Sequence, residues 1–376
     1  MLIKIESEEE KELLKTLANK EDAESKRIKR FLSMTDLSRT EGGPIKAIID
    51  LVLRTKTFKD FDVIQIPEIV DAGISFDLFD FPKDHPARDK SDTYYVNDGY
   101  ILRTHDTVMW YYYLNHPEIK EKIKKGEALG VICYGKVFRK DEIDRHHMNV
   151  FHQMGGLYLV PDSKKTLALD DLKNALLEIA QSIFGPDIKY RFNVDTFPYT
   201  DPSLEMEIEK NEKWVEIVGG GMPRKNVLAN FGLTGYNGWA FGFGLERLAI
   251  ISMELPDIRL LWSTDERVKK QLRLGNKFKE VSKYPPVTRD ISFIVKNTFV
   301  PNNYFDLIRD LGGDLVEEVK LLDKYENAEK FGEDKLSYTY RIIYRSNSRT
   351  LTSEEIDKIQ ANIYSETAKQ FAAELR

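Results

Sequence analysis

Apolar residues recur along this chain with two periods, three to four residues in some stretches and two in others, and the change of period divides it into elements. Residues 7–34 carry Leu13, Leu14, Leu17, Ile28 and Phe31 on an otherwise charged background, the thin apolar face of one long helix. Residues 36–44, DLSRTEGGP, form a turn-rich entrance to an apolar-faced helix over 45–54. A strand-like run at 61–66 stops at Pro67, and residues 74–81 are apolar but irregular. The pattern then predicts an antiparallel pair from 131–139 and 150–160 and a helix over 169–184. Strands at 188–192, 204–209 and 213–218 follow, and a strand runs into a helix over 239–253. Strands joined by hairpin-length loops, with helices grouped elsewhere, imply an α+β fold with an antiparallel sheet flanked by helices.

The pattern loosens over residues 267–282, a basic stretch with one glycine that reads as a linker. Beyond it the order changes. Residues 290–295 alternate as a strand, 301–311 read as a helix, and 315–325 and 336–344 alternate as two strands. Residues 352–373 form a final helix with Thr352 as N-cap and Glu355 three residues on, and 372–376 can add a short last strand. This order is that of a ferredoxin-like, split-βαβ sandwich. Four segments result: an N-terminal helical extension (1–35), a large domain (36–266), the linker (267–282) and a small domain (283–376).

Composition adds little beyond class. The chain has 376 residues, 41% of them hydrophobic and 31% charged, with a net charge of −6. That balance disfavours a sequence-blind nucleic-acid binder but leaves room for a local basic face. No apolar run is long enough for a membrane helix, and the acidic N-terminal sequence resembles neither a signal nor a transit peptide, so a cytoplasmic location is expected. The single cysteine, Cys133, sits in an apolar strand and reads as a buried, inert thiol.

Chemistry concentrates around two arginines. Arg139 follows the strand ending VF, with Asp141, His146 and His147 in the loop and Phe151 on the returning strand. A planar guanidinium can bridge a carboxylate and a phosphate, and an aromatic ring nearby can stack on a purine. Alone, the hairpin could equally carry only exposed ion pairs. Arg247 emerges from the first helical turn of GWAFGFGLERLAI, where anions are favoured and the glycines permit close backbone approach. In isolation Glu246 and Arg247 also read as an ordinary surface pair. The chain contains neither G-x-G-x-x-G opening a helix nor G-x-x-x-x-G-K-[ST], so a nucleotide site must be of another kind.

The pattern F-R-x-[DE], a loop, then F-H-Q, followed by G-x-G-x-E-R, resembles motifs two and three of class II aminoacyl-tRNA synthetases. In detail, DHPARDKSDTYYV, ILRTHDT, VFRKDEIDRHHMNVFHQ, DTFPYTDPS, KWVEIVGGGM and GWAFGFGLERLAI occur in the order of the phenylalanyl-tRNA synthetase family. PDIRLLWSTDER, the ending AAELR and a C-terminal part starting at KYPPVTRDISF resemble its single-chain, mitochondrial type. The resemblance spans roughly 36–376. It implies ATP-dependent attachment of phenylalanine to tRNA(Phe) through an adenylate, at the 2′-hydroxyl of the terminal ribose, by a monomer without an editing module. It also implies roles. Arg139, His147 and Arg247 would be catalytic. Arg139 would hold the α-phosphate and the carboxylate, and Phe151 and Arg247 would sandwich the adenine. Asp141, His146 and Met148 would line the ATP site, and Glu216 would reach ATP directly or through Mg2+. Thr107 and Gln153 would hold the ammonium near His105. Phe197 and Tyr199 would receive the substrate ring, with Thr200, Ala240 and Phe241 around it. Arg341, Arg345 and Arg349 would contact the tRNA anticodon stem-loop, and Tyr338, Tyr340 and Tyr344 could stack on its bases.

Tyr199, where the family usually has a second phenylalanine, is a mild departure, and two others carry more weight. Gly155 stands where it usually has glutamate, and Trp110 where it usually has glutamine. Either Trp110 fills the space left at Gly155, as one compensated exchange, or the amino-acid specificity has moved. A same-fold synthetase for another amino acid, and a non-catalytic tRNA-binding paralogue, therefore stand as alternatives.

Overall fold

The computed structural model describes residues 1–140, 145–346 and 348–376, and the chain divides into two compact units, Met1–Phe278 and Lys279–Arg376. The strands of the first unit are β1 (Leu2–Lys4), β2 (Asp62–Gln65), β3 (Ile69–Asp71), β4 (Tyr100–Leu102), β5 (Leu129–Phe138), β6 (Val150–Pro161), β7 (Tyr190–Phe197), β8 (Thr200–Lys210), β9 (Lys213–Pro223) and β10 (Tyr236–Gly244). Eight of them form one sheet in the order β1-β2-β5-β6-β10-β9-β8-β7, while β3 and β4 pair separately. The sheet is mixed rather than purely antiparallel: β1 pairs parallel with β2, and β2 parallel with β5. Strand β2 lies inside the run read at 61–66, but β1 is only three residues long, too short for a period of two to register. The remaining pairs are antiparallel, and they bring β6 and β10, the strands of the two arginine motifs, side by side.

Helices cover the sheet. Pro44–Leu53, Leu169–Phe184 and Leu245–Met253 pack on one another and on β6, β9 and β10. Met109–Asn115 packs against Val131, Cys133 and Leu157. Two of them start where the sequence supplies a reason, Pro44 in the first turn of one and Asp171 accepting from the Ala168 amide at 2.8 Å in the other. The long N-terminal helix expected from the sequence is instead two, Glu8–Ala18 and Ala23–Ser33. The break has a local cause, since Asp22 accepts from the Ser25 amide at 2.9 Å and caps a new helix. Leu17, Ile28 and Phe31 are buried against Tyr94, Leu102 and Phe138, so this segment packs on the first unit's core.

The second unit contains β11 (Val287–Lys296), β12 (Val316–Glu326), β13 (Lys335–Tyr344) and β14 (Glu374–Leu375), an antiparallel sheet in the order β12-β13-β11-β14. Pro301–Gly312 and Ser353–Phe371 pack together on one face. Thr352 accepts from the Glu355 amide at 3.3 Å, the cap that the sequence suggested.

Candidate active site

A cavity of about 900 Å3 opens in the first unit, lined by β6, β9, β10 and the segment around Thr107. Its chemistry follows from alternation along β6, where Phe151, Gln153 and Gly155 share one face. Phe151 and Gln153 line the cavity, with Arg139, His146, His147 and Met148 beside them. Arg139 donates from Nε to the Thr104 carbonyl at 2.9 Å, and its guanidinium lies 5.3 Å from the Phe151 ring centre. Asp141 lies outside the described residues.

Glu216 on β9 and Arg247 in the first turn of Leu245–Met253 join the same cavity and pair with each other at 3.1 Å. Both side chains are about half exposed, which leaves the pair open to exchange partners. Glu246 is no surface partner of Arg247. It is buried, accepts from the His152 amide at 2.9 and 3.0 Å, and lies 2.6 Å from His152 Nδ1. His152 Nε2 lies 3.3 Å from Asp36 Oδ1. Burial alone would lower this imidazole, but Glu246 and Asp36 outweigh it and raise its pKa to about 9. This buried array ties the entrance loop, β6 and the Arg247 helix together, and no local motif announced it.

The apolar part of the cavity is built from Phe197, Tyr199, Thr200, Ala240 and Phe241. The Phe197 and Tyr199 rings stack 6.0 Å apart. Burial pushes the Tyr199 phenol up to about 12, against a hydrogen bond with the Thr107 side chain. Gly219, Gly220 and Gly221 form the adjoining stretch of β9. A Cβ on Gly220 would stand 2.6 Å from the Ala240 carbonyl oxygen, and one on Gly221 2.6 Å from Thr200, so only glycine lets the strands approach this closely. His105 lines the cavity between Phe79 and Phe81, and burial, reinforced by Arg139, lowers its pKa to about 3 and keeps it neutral.

One expectation fails here. Trp110 lines the cavity but does not fill the space at Gly155; it packs against Phe79 at 5.3 Å and Tyr199 at 6.0 Å. The space above Gly155 is taken by Asp106, a residue that no sequence motif singled out. A Cβ on Gly155 would fall 2.8 Å from the Asp106 Cγ and Oδ1, and nearer still to Oδ2. The available signal was an acidic residue inside THDT, directly before Thr107.

Comparison with known proteins identifies the family. Residues 32–272 match the family described as tRNA synthetases class II core domain (F), and residues 282–376 match the ferredoxin-fold anticodon binding domain. The chloroplastic/mitochondrial phenylalanine–tRNA ligase of Arabidopsis thaliana is 40% identical over 331 residues, covering 85% of this chain and 73% of that protein. The mitochondrial phenylalanine–tRNA ligase of Saccharomyces cerevisiae is 31% identical, covering 92% of this chain and 91% of that protein. The chain belongs to the phenylalanine–tRNA ligase family. As a member of this class II synthetase family it is an enzyme that charges tRNA with phenylalanine, using ATP. The names of these relatives place them in organelles and lend no support to the cytoplasmic location expected from the N-terminal sequence. Among the described residues no helix is long and apolar enough to cross a membrane.

In the second unit the arginines expected to meet tRNA are all in ion pairs. Arg341 forks onto Asp290 at 2.7 and 2.8 Å, Arg345 meets Glu317 at 3.0 Å, and Arg349 meets Glu355 at 2.8 Å. Arg341 and Arg349 are exposed, whereas Arg345 is largely covered and also bonds the Tyr284 carbonyl. Tyr338, Tyr340 and Tyr344 do not stack on a surface. They sit on the buried face of β13 and pack in the core against Phe293 and Tyr304. The alternation of β13 puts aromatics under the helices and Arg341 on the open side.

Proposed function

We propose that this cavity performs both steps of the family reaction with its own residues in the following roles. The phenylalanine carboxylate attacks the α-phosphorus of ATP, an acyl–phosphate bond forms, and pyrophosphate leaves. Arg139 holds the carboxylate and α-phosphate together and offsets the charge that develops between them. Phe151 and Arg247 take the two faces of the adenine, and His146 and His147 approach the outer phosphates. The substrate ring enters beside Phe197 and Tyr199, over Thr200 and Ala240. In the second step the terminal ribose hydroxyl of tRNA attacks the activated carbonyl, and AMP leaves.

A divalent ion is part of the family's chemistry, and Mg2+ is the ion we propose. Among the described residues no three His, Cys, Asp or Glu side chains stand ready to cage a metal. That fits an ion carried largely by ATP phosphates and touched by a single carboxylate, and Glu216 is a carboxylate lining the cavity, half exposed and free to reach it. Bound there, the ion would neutralise phosphate charge. Cavity and anticodon-binding unit lie in one chain, which supports a monomer as the working species.

The observation carrying this reading is that Arg139, Phe151, Glu216 and Arg247 share one cavity with the Phe197–Tyr199 aromatic wall. Amino-acid-dependent ATP–pyrophosphate exchange, run with each of the twenty amino acids, tests it. Exchange with phenylalanine alone is expected. Exchange with a different amino acid would move the specificity, and none at all would remove the catalytic assignment.

A further inference from the structure

The cavity holds a carboxylate for which the roles above provide no use. Asp106 is 2% exposed, lines the cavity, and its Oδ2 has no hydrogen-bond partner among the described residues. Its position is determined from three sides. Its backbone amide donates to Gln153 Oε1 at 3.2 Å, which fixes it against β6. Gly155 and Gly242 face each other across β6 and β10, and both leave room for its carboxylate. A Cβ on Gly242 would lie 3.6 Å from Oδ1, in ordinary contact, whereas one on Gly155 would collide. The carboxylate therefore occupies the place that any side chain at position 155 would need.

A buried carboxylate oxygen without a hydrogen bond is costly, and a partner arriving from outside is one way such a group is satisfied. The resident arginines act on this carboxyl through space without a hydrogen bond to Oδ2. Arg103 turns its guanidinium to the Lys136 carbonyl, at 2.6 and 3.2 Å, and Arg139 bonds the Thr104 carbonyl. His105 is held neutral. Burial raises the Asp106 carboxyl to about 7, with Arg103 and Arg139 pulling the other way, so an added cation would be met by a group ready to ionise.

We propose that Asp106 is the counter-ion of the substrate's α-ammonium group, and that Gly155 is glycine because this carboxylate comes from position 106 instead of 155. The proposal rests on the amino-acid-activating reading above and deepens it. Thr107 and Gln153 then act as neutral hydrogen-bonding neighbours of a charged pair rather than as the ammonium's only partners. The pair makes the site select for an amino acid over a carboxylic acid of the same shape.

The test separates charge recognition from a packing role. Two probes share ring and carboxylate, and only phenylalanine has the ammonium; 3-phenylpropanoate lacks it. In pyrophosphate exchange, Asp106→Asn is expected to raise the KM for phenylalanine by about 30-fold or more. The inhibition constant of 3-phenylpropanoate should stay within about threefold, because that ligand never used the charge. Asp106→Ala combined with Gly155→Glu is expected to recover at least about tenfold in phenylalanine KM over Asp106→Ala alone, since the collision at 155 is gone and a carboxylate has returned. Equal weakening of both ligands by Asp106→Asn, or an unchanged phenylalanine KM, would overturn the assignment. Asn keeps the volume of Asp, so the comparison holds even if Asp106→Ala folds poorly. Lack of phenylalanine exchange by the unmodified protein is a different failure and would strike the functional reading itself.

Discussion

Arg139 is held by contacts to the backbone that the catalytic role proposed for it does not need. Its amide donates to the Asn149 carbonyl at 3.0 Å, and its Nε to the Thr104 carbonyl. Replacing it by alanine removes side-chain bonds at an exposed position and leaves the strand pairing intact. The expected outcome is a fall in pyrophosphate exchange by about a hundredfold or more, as when one charge-stabilising donor is removed from a transition state. A melting curve should move by only a few degrees; retained exchange in a folded Arg139→Ala protein would sink the assignment. His152 presents the opposite case, a buried group outside the chemistry. Its folded pKa of about 9 exceeds the ordinary 6.5 of histidine, so its contribution to stability is complete below about pH 6.5 and disappears as pH rises through 9. Urea unfolding at pH 6 and pH 9.5 should therefore show a steeper decline for the unmodified protein than for His152→Asn. Equal declines would show that the imidazole is not charged between its carboxylates. These two residues also mark what can be found by reading along the chain. Arg139, Phe151 and the loop histidines lie within thirteen positions and carry a recognisable order. His152 meets a carboxylate 94 positions away, and Asp106 meets a glycine on another element. Both lie inside family motifs, but the order of residues does not tell which distant group each one meets.

At the scale of elements, the site depends on how closely β9 and β10 run. Ala240, Phe241 and Gly242 pair with Gly221, Gly220 and Gly219 in register. Because the nearest atom to a Cβ on Gly220 is a backbone oxygen, it cannot swing aside as a side chain would. Gly220→Ala is expected to destabilise the first unit by about 2 kcal/mol, within the usual range for overpacking, and to lower exchange by displacing Ala240 at the cavity. Chemical denaturation and exchange kinetics on one preparation measure both; unchanged stability would mean the strands can separate without cost. The longer elements were legible, as Leu169–Phe184 and the β5–β6 pair illustrate, because a period repeated over ten or more residues outweighs local noise. The three-residue β1, β3 and β4 were not, whereas the four-residue β2 lies inside the run read at 61–66. β1 shows no periodicity, and its parallel pairing with β2 arises from tertiary contact alone. Side-chain orientation in the small sheet was misread for a related reason. Alternation tells which residues share a face, not which face the helices cover, and on β13 they cover the tyrosines.

For the molecule as a whole, the two matched families divide the reaction between the two units. The cavity lies entirely within Met1–Phe278, so adenylate formation should not require the arginines of Lys279–Arg376. Among those arginines, burial separates the roles. Arg345 is fastened to Glu317 and to the Tyr284 carbonyl, and it serves the unit's own structure. Arg341 and Arg349 stand in exposed pairs that water screens, so they could be given up for phosphate oxygens. The variant Arg341→Ala with Arg349→Ala is therefore expected to fold normally and to keep pyrophosphate exchange within about twofold. Its KM for tRNA should rise about tenfold, and the salt dependence of charging should flatten by roughly one power of salt concentration for each phosphate no longer neutralised. A parallel fall in exchange would mean that the units are coupled through the first step. Unchanged tRNA charging would move the RNA surface away from this edge of β13 and leave the acidic partners, Asp290 and Glu355, as the arginines' only purpose.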